Sequence, residues 1–314
     1  MQVVVLAGGL SPERDVSLRS GRRVAEALRS GSIDAEIIES DVDAGLIGRL
    51  RASTPDCVVP ILHGAAGEDG ALRDVLASLG IPFVGSTAEA ARLAFDKPVA
   101  KTLLKAAGVS TPRAIALPHS TFRELGAGDV LDAVLANIGL PLVVKPTKGG
   151  SALGAAIVRD PADFPAAMVG AFAYCEVALM EQWIEGTEVS VCIAEIDGVP
   201  TALPVVEIVP PGDLYDYSAR YTAGTTEFFI PARLSPEVLA SCADVALRAH
   251  EVLGLRDWSR SDLIVDAAGT PWFLEVNIAP GMTETSLFPQ ALAAADLSLG
   301  AITADLVIAA ISRG

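Results

Sequence analysis

Residues 260–277 read RSDLIVDAAGTPWFLEVN, which is two extended apolar runs joined by the short polar segment DAAGT. Such a segment between two apolar runs is typical of a turn, so we expect the runs to pair as a β-hairpin. Side chains alternate between the two faces of a strand. Closing the turn symmetrically therefore places Asp262 opposite Glu275, and Arg260 opposite Asn277, all on one face.

Two carboxylates that face each other across a strand pair need a neutralising partner, because opposed like charges destabilise a sheet. Asp262, Glu275 and the amide oxygen of Asn277 form a ligand set suited to Mg²⁺, which usually arrives with substrate phosphates. The opposite face is expected to bury Leu263, Val265, Leu274 and Val276, with Ile264 and Phe273 beside the charges. We therefore expect a metal site inside a cleft. The alternative on these residues alone is a solvent-exposed acidic hairpin.

The composition is that of a folded acidic protein. The chain has 314 residues, of which 51% are hydrophobic, so two or three packed units are expected. The formal net charge of −16 argues against nucleic acid or an anionic membrane as the main partner. The sequence starts with no basic-then-apolar signal, and no apolar stretch reaches about 18 residues. We expect a soluble cytoplasmic protein.

The four cysteines lie far apart and form no C-x-x-C pair: Cys57, Cys175, Cys192 and Cys242. Each lies in or beside an apolar run. We therefore expect small buried residues rather than disulfides or metal ligands.

Residues 1–90 alternate between strand and helix patterns. Apolar runs predict strands at 2–7, 35–38, 57–62 and 80–85, and helical spacing predicts helices at 16–29 and 44–52. This alternation is typical of a parallel sheet covered on both faces, so we expect an N-terminal Rossmann-like domain.

Two further units are predicted, over residues 91–186 and 187–314. The first has predicted helices at 98–107 and 128–138 and strands at 140–146, 155–158 and 176–184. The second has a strand at 188–193, the hairpin and a closing helix at 300–311. The expected fold class is α/β, with a parallel-sheet domain followed by two mixed α/β subdomains.

A glycine-rich loop, TKGGSALG at 147–154, joins two strands of the central unit. A loop with little side-chain bulk lets backbone N–H groups approach phosphate oxygens, and Lys145 before it is placed to neutralise them. The alternatives are a flexible hairpin tip and a snorkelling surface lysine. Asp96-Lys97-Pro98 is, on local grounds, a helix start.

The segment HGAAGEDG at 63–70 follows a predicted strand and enters a helix, a geometry that exposes N–H donors to an anion. A structural role for His63 is the alternative. Glu13 follows Gly8-Gly9 at the carboxyl edge of the predicted parallel sheet, where ligands bind in open α/β folds.

Two segments near the hairpin are also candidates for ligand binding. APGMTETS at 279–286 follows it directly, and the N–H of Gly281 is a candidate oxyanion donor beside Arg260. EQWIEGTE at 181–188 ends a strand, where its backbone is placed to pair with an adenine edge and Glu188 with ribose hydroxyls. No generic rule requires this second interpretation.

Together these segments resemble the D-alanine–D-alanine ligases of the ATP-grasp superfamily, nearly from end to end. The N-terminal motifs are Gly8-Gly9, Ser11-Pro12-Glu13, Val16-Ser17-Leu18, His63-Gly64, Gly67-Glu68-Asp69-Gly70, Ile81-Pro82-Phe83-Val84-Gly85 and Asp96-Lys97. The remaining motifs are Val144-Lys145-Pro146, Gly150-Ser151, Tyr215-Asp216-Tyr217, Arg220-Tyr221, Arg260, Asp262, Glu275, Asn277, Pro280-Gly281-Met282-Thr283 and Ser286. Their order and spacing argue against a chance resemblance.

The resemblance implies that two subdomains clasp ATP, which binds with two Mg²⁺ ions or with Mn²⁺ as a substitute. The residues implied on the nucleotide are Lys97, Lys145, Glu181, Gln182, Trp183, Ile184, Glu188 and Arg220. The implied metal ligands are Asp262, Glu275 and Asn277. The small-molecule substrates would be ATP and D-alanine, and family members commonly form homodimers.

The resemblance also implies the reaction. A first D-alanine carboxylate attacks the γ-phosphate, and the amine of a second attacks the resulting acyl phosphate. The implied catalytic residues are Glu13, Ser151, Tyr221, Arg260 and Gly281. The implied amino-acid contacts are Glu13, His63, Arg260, Gly281 and Ser286.

Three positions depart from the family pattern. Arg220 and Gln182 stand where lysine is usual, and Ala152 replaces a second serine in the glycine-rich loop. Tyr221 is the residue that accompanies D-alanine as second substrate, whereas phenylalanine accompanies D-lactate. The alternatives are a ligase for a different amino-acid pair and a non-catalytic nucleotide- or amino-acid-binding module.

Overall fold

The computed structural model describes residues 1–212, 215–216, 219–220, 222 and 224–314. The strands are β1 (Gln2–Ala7), β2 (Glu36–Asp41), β3 (Cys57–Pro60), β4 (Ala114–Pro118), β5 (Leu142–Pro146), β6 (Ala156–Val158), β7 (Val177–Gln182), β8 (Thr187–Ile196), β9 (Val199–Ala202), β10 (Val206–Val209), β11 (Glu227–Phe229), β12 (Trp258–Val265) and β13 (Pro271–Asn277). The α-helices are α1 (Arg14–Ala27), α2 (Leu46–Ser53), α3 (Ala65–Glu68), α4 (Ala71–Ser78), α5 (Ala88–Phe95), α6 (Lys97–Ala106), α7 (His119–Leu125), α8 (Ala127–Ile138), α9 (Phe164–Phe172), α10 (Pro236–Val252), α11 (Leu287–Ala294) and α12 (Leu299–Arg313).

The first sheet has the strand order β2-β1-β3, and both strand pairs are parallel. Its central strand is a continuous apolar run because helices cover both faces. Val3 and Val5 pack on the side of Val24 in α1, whereas Val4 and Leu6 pack on the side of α2 and α4. The predicted N-terminal parallel sheet is therefore confirmed.

The predicted fourth strand of this sheet, at residues 80–85, is wrong. The segment forms an isolated parallel bridge to Val58 and does not continue as a strand. Pro82 has no N–H to donate, and Gly80 and Gly85 have φ angles of 66° and 104°, so the extended conformation ends on both sides.

The second sheet has the order β4-β7-β5-β6, with antiparallel pairs throughout. Alternation along β5 directs Leu142 and Val144 into a core with α8 and α9. It directs Val143 and Lys145 to the opposite face, where they line a cleft.

The third sheet has the order β11-β10-β8-β12-β13, with β9 paired to β8. Its β12–β13 hairpin has the predicted register, since Arg260 pairs with Asn277 and Asp262 with Glu275. The register then shifts, and the next pair is Leu263 with Phe273. This β-bulge leaves one residue of β13 without an opposite partner.

The bulge corrects the predicted faces of two residues. Phe273 is fully buried with Leu263 and Val265, although it was expected beside the charges. Leu274 lines the cleft, although it was expected in the core. The extra residue reverses the alternation from residue 274 back toward the turn.

Helices α5 and α6 pack on the third sheet rather than standing apart from it. Ala91 and Leu104 belong to the same buried cluster as Phe273 and Val276. This packing brings the N-terminus of α6 to the cleft. The unit limits 1–90, 91–186 and 187–314 stay a prediction.

The cysteines are free thiols. Cys57, Cys192 and Cys242 are buried, as predicted, whereas Cys175 is only half-buried. Burial raises the pKa of Cys57 and of Cys192 to about 12. These two thiols therefore stay protonated near neutral pH.

Helix length and apolar composition bear on membrane spanning. Over the described ranges of the chain, no single helix is long and apolar enough to cross a membrane. Helices α11 and α12 reach that length and composition only together, and they bend by 104° at their break.

Candidate active site

Two adjacent cavities bring the predicted site residues together. The first, of about 900 Å³, lies between the second and third sheets. Its lining includes Lys97, Lys145, Glu181, Gln182, Trp183, Ile184, Glu188, Arg220, Asp262 and Glu275. The second, of about 590 Å³, includes Glu13, His63, Ser151, Arg220, Arg260, Asn277, Gly281 and Ser286. Tyr221 lies outside the described residues.

Lys97 reaches the first cavity from the N-terminus of α6, where Asp96 caps the helix by accepting from the Val99 N–H. Its Nζ donates to the Gly149 carbonyl at 2.9 Å and lies 3.2 Å from Glu275 Oε2. Lys97 thus links the glycine-rich loop to the acidic hairpin. A phosphate placed between them would find a cation already in position.

Glu181 forms ion pairs with two lysines. Its Oε1 pairs with Lys145 Nζ, and its Oε2 lies 2.7 Å from Lys101 Nζ. Lys101 and Glu181 are buried, and the Lys145 side chain is 12% exposed. Burial lowers the pKa of Lys101 to about 8. Burial opposes the charged forms of Lys145 and Glu181. The Glu181 carboxylate nonetheless raises the pKa of Lys145, and the ammonium groups of Lys101 and Lys145 lower the pKa of Glu181.

Sequence reasoning missed Lys101. The available signal was its spacing, because a lysine four residues after Lys97 lies on the same face of a helix. Polar residues on a buried helix face need a partner, so the spacing would have predicted an acidic side chain opposite.

Arg260 donates two hydrogen bonds to the carboxylate of Asp262. Its Nε donates to Oδ1 at 2.8 Å and its Nη2 to Oδ2 at 2.7 Å. Ser190 on the neighbouring strand β8 also donates to Oδ1, at 2.5 Å. Although burial opposes the charged form, the Asp262 carboxylate raises the pKa of Arg260. Arg260 therefore stays charged, and its two hydrogen bonds orient the Asp262 carboxylate.

The hairpin offers oxygen ligands for a metal ion. Although burial opposes its ionisation, the ammonium groups of Lys97 and Lys145 lower the pKa of Glu275 to about 2. The amide oxygen of Asn277 accepts from the Ala279 N–H at 2.7 Å and keeps a second lone pair.

This donor set fits Mg²⁺, which prefers carboxylate and carbonyl oxygens and few protein ligands. Among the described residues, no three His, Cys, Asp or Glu side chains form a metal-binding group on their own. The amide oxygen and phosphate oxygens would therefore have to complete the coordination.

Glu13 and Ser151 join the first domain to the glycine-rich loop. Ser151, with a φ of 52°, donates from Oγ to Glu13 Oε1 at 2.5 Å. A Cβ on Gly150 would lie 3.2 Å from both Glu13 carboxylate oxygens, so the absent side chain allows this close approach. Glu13 is only 6% exposed.

His63 and Glu68 form a buried polar layer beneath the second cavity. His63 Nδ1 lies 3.0 Å from the Ala279 carbonyl, and burial lowers the His63 pKa. Glu68 Oε1 accepts from the Gly64 N–H at 2.8 Å. Burial and the nearby Glu13 carboxylate raise the pKa of Glu68 to about 8. Glu68 therefore holds its proton near neutral pH, while Glu13 is the carboxyl side chain that lines the second cavity.

Gly281 and Ser286 lie at the far wall of the second cavity. A Cβ on Gly281 would lie 2.8 Å from Ser286 Oγ, so a larger residue at this position would displace the Ser286 hydroxyl. Ser286 Oγ accepts from the Thr283 N–H at 3.1 Å and lies 2.8 Å from the Thr283 hydroxyl. The wall thus presents a fixed hydroxyl beside the Gly281 backbone.

Arg220 stands between the two cavities and lines both. Its guanidinium lies 4.2 Å from the centre of the Tyr215 ring, and its Nε donates to the Tyr215 carbonyl at 3.0 Å. Glu188 lines the first cavity, and burial raises its pKa to about 7.

The segment expected to border the adenine, Glu181–Ile184, lies at the end of β7 and beyond it. The backbone N–H of Gln182 donates to the Arg113 carbonyl at 2.8 Å, and that of Trp183 to the Pro141 carbonyl at 3.3 Å. Ile264 and Leu274 supply apolar surface in the same cavity.

Two mainly antiparallel sheets that close on a lysine-lined cleft, after a parallel-sheet domain, form an ATP-grasp architecture. Known proteins agree with this class. Residues 103–308 match the family model described as D-ala D-ala ligase C-terminus. A D-alanine–D-alanine ligase of Nitrosospira multiformis is 44% identical over 301 residues, covering 95% of this chain and 92% of that protein.

Solved structures extend the similarity to the whole fold. The VanG D-Ala:D-Ser ligase of Enterococcus faecalis superposes with a TM-score of 0.83 at 26% identity, covering 99% of both chains. The D-alanine–D-alanine ligase of Bacillus anthracis complexed with ATP superposes with a TM-score of 0.81 at 27% identity, covering 100% of this chain and 98% of that one. This chain belongs to the D-alanine–D-alanine ligase family.

Proposed function

We propose that this protein joins two D-alanine molecules into D-alanyl-D-alanine at the expense of ATP. The proposal rests on the way the two cavities meet. Arg220 lines both cavities, and Arg260 of the second cavity is hydrogen-bonded to Asp262 of the first. A carboxylate bound in the second cavity lies next to a phosphate bound in the first. The relatives and structural neighbours that carry this name support the same reaction.

The first step would activate the first D-alanine. Glu13 would hold its ammonium, and Lys97, Lys145 and Arg220 would hold the ATP phosphates. A carboxylate oxygen attacks the γ-phosphorus, the bond to the ADP oxygen breaks, and an acyl phosphate forms. Positioning and charge neutralisation supply most of the catalysis in such a transfer.

The second step would form the peptide bond. The amine of a second D-alanine attacks the acyl carbon, and phosphate leaves with the bridging oxygen. Arg260 and the Gly281 N–H are placed to stabilise the oxyanion of the tetrahedral intermediate. Ser286 would bind the second carboxylate, and His63 borders the same cavity.

We propose that Asp262, Glu275 and Asn277 hold two Mg²⁺ ions with the nucleotide. Bound there, the metal would neutralise negative charge on the phosphates. Glu188 would accept from the ribose, and the segment Glu181–Ile184 would border the adenine. These assignments rest on the cavity lining and on the family resemblance.

The identity of the second amino acid substrate rests on separate observations. One structural neighbour is named a D-Ala:D-Ser ligase, and Ala152, Gln182 and Arg220 depart from the common pattern. We place D-alanine at this position because Tyr221 is the residue that accompanies it in the family.

The reaction would supply the dipeptide for peptidoglycan, in the cytoplasm where ATP is available. A homodimer is the expected assembly, because family members commonly form one. Sedimentation at several protein concentrations would establish its mass.

The proposal is tested by incubating the protein with ATP and Mg²⁺ and pairs drawn from D-alanine, L-alanine, D-serine and D-lactate. We expect phosphate release with D-alanine alone, matched by dipeptide in the mass spectrum. Turnover with a different pair only would make the protein a ligase of other specificity. ATP binding without turnover on any pair would leave a non-catalytic binding module.

A further inference from the structure

We propose that Lys101 is a positioning residue that neutralises Glu181, so that Lys145 keeps a net positive charge toward the ATP phosphates. This inference rests on the proposed binding of ATP in the first cavity. Lys101 lies behind the cavity wall, whereas Glu181 and Lys145 form part of the wall. It acts on the nucleotide through these two residues.

The geometry places the three charges in a row. Lys101 Nζ lies 2.7 Å from one carboxylate oxygen of Glu181, and Lys145 Nζ contacts the other oxygen. Lys101 Nζ also lies 3.4 Å from the Phe273 carbonyl, which ties the row to β13. The side-chain exposures are 6% for Lys101, 3% for Glu181 and 12% for Lys145, so solvent screens these charges weakly.

The charge balance gives Lys101 its role. Glu181 and Lys145 alone would form a neutral pair, and a neutral pair attracts phosphate weakly. Two lysines that share one carboxylate leave one net positive charge in the row. Of the two lysines in the row, Lys145 is the one that lines the cavity, together with Lys97, so the surplus charge is directed to the phosphates.

The same arrangement explains why Glu181 is tolerated beside a phosphate site. An unpaired buried carboxylate would repel ATP and would be costly to bury. Because Lys101 and Lys145 each pair with one of its oxygens, the Glu181 carboxylate holds Lys145 in one position. Loss of Lys101 would therefore leave a carboxylate oxygen unpaired and draw Lys145 toward it.

The test is the ATP affinity of Lys101→Met, measured by calorimetry without amino acid, with steady-state KM values for ATP and D-alanine. We expect the Kd for ATP to rise by about tenfold or more, because the row beside the phosphates loses its net positive charge. The KM for D-alanine should change little, and Lys101→Arg should restore most of the ATP affinity. Lys105→Met, an exposed site one turn along α6, is the matched control.

The double variant Lys101→Met with Glu181→Gln separates neutralisation from packing. If Lys101 neutralises Glu181, removing both charges recovers part of the affinity lost in Lys101→Met. If Lys101 only fills space, the second change adds to the damage, which overturns the inference. If Lys101→Met does not fold, the double variant replaces it in the measurement of ATP affinity.

A folded Lys101→Met protein with ATP affinity within about twofold of the parent would likewise overturn the role of Lys101. The parent protein distinguishes this failure from failure of the proposed function. If the parent itself binds no ATP, it is the proposed function that fails.

Discussion

Asp262 and Glu275 lie directly opposite each other on β12 and β13, and each is paired with a different cation. Arg260 holds Asp262 through two hydrogen bonds, whereas Lys97 lies 3.2 Å from Glu275. Each of the two opposed carboxyl groups is thus oriented by a cation of its own. A divalent cation placed between them would meet oxygen ligands from both strands.

We predict that Asp262→Asn and Glu275→Gln raise the Mg²⁺ concentration needed for half-maximal phosphate release and lower turnover. Each change removes one negative ligand from the donor set. Mg²⁺ titration of phosphate release measures the effect. Asp244→Asn, an exposed carboxylate on α10, is the control. Parent-like Mg²⁺ dependence in both hairpin variants would remove the metal assignment.

Ser151→Ala should weaken amino-acid binding and leave ATP binding intact. The hydroxyl donates to the buried Glu13 carboxylate, and such a bond is worth about 2 kcal/mol. We expect the KM for the first D-alanine to rise by about tenfold or more. Initial-rate kinetics, with the exposed Ser53→Ala as control, give the measurement. A rise confined to the KM for ATP would contradict the role of the Glu13–Ser151 contact.

Glu68 should make the protein less stable as pH rises toward 8. Its folded pKa of about 8 lies above the unfolded value of 4.5, so the folded state holds the proton over this range. Its stabilising contribution is fully present below pH 4.5 and is lost as the pH rises through this window. The Gly64 N–H, Arg73 and Lys97 oppose the effect.

Thermal unfolding at several pH values tests this prediction. Glu68→Gln cannot ionise, so its stability relative to the parent should improve between pH 5 and 8. The change should be on the order of a few kcal/mol. The exposed Glu124→Gln is the control. Parallel stability profiles for the parent and Glu68→Gln would show that Glu68 is ionised in the folded state.

Tyr221→Phe should shift the second substrate from D-alanine toward D-lactate while the fold stays intact. The expectation rests on the family resemblance. Products formed from equal mixtures of the two acceptors measure the shift. An unchanged product ratio with unchanged kinetics would remove this role for Tyr221.

Much of the hairpin was predictable from local rules. A two-residue period and a short turn were enough to place Asp262 opposite Glu275. The β-bulge could not be predicted, because neither a glycine nor a proline marks Leu274 as the extra residue. The bulge places Phe273 in the core and Leu274 on the cleft.

Contacts between distant segments required more than local rules. Glu13 and Ser151 are 138 residues apart, and before the structure only the family resemblance placed both of them in one catalytic site. The spacing of Lys101 from Lys97 places the two lysines on one helix face, but it does not show that this face is buried. The role of Lys101 follows from Glu181, which reaches it from another part of the fold.

The central claim is that the D-alanine carboxylate, rather than water, attacks ATP. D-alanine labelled with ¹⁸O in both carboxylate oxygens tests it directly, through the mass of the released phosphate. The account predicts one ¹⁸O atom in each phosphate, because the bridging oxygen of the acyl phosphate leaves with phosphorus. Unlabelled phosphate released together with dipeptide would contradict the acyl-phosphate mechanism.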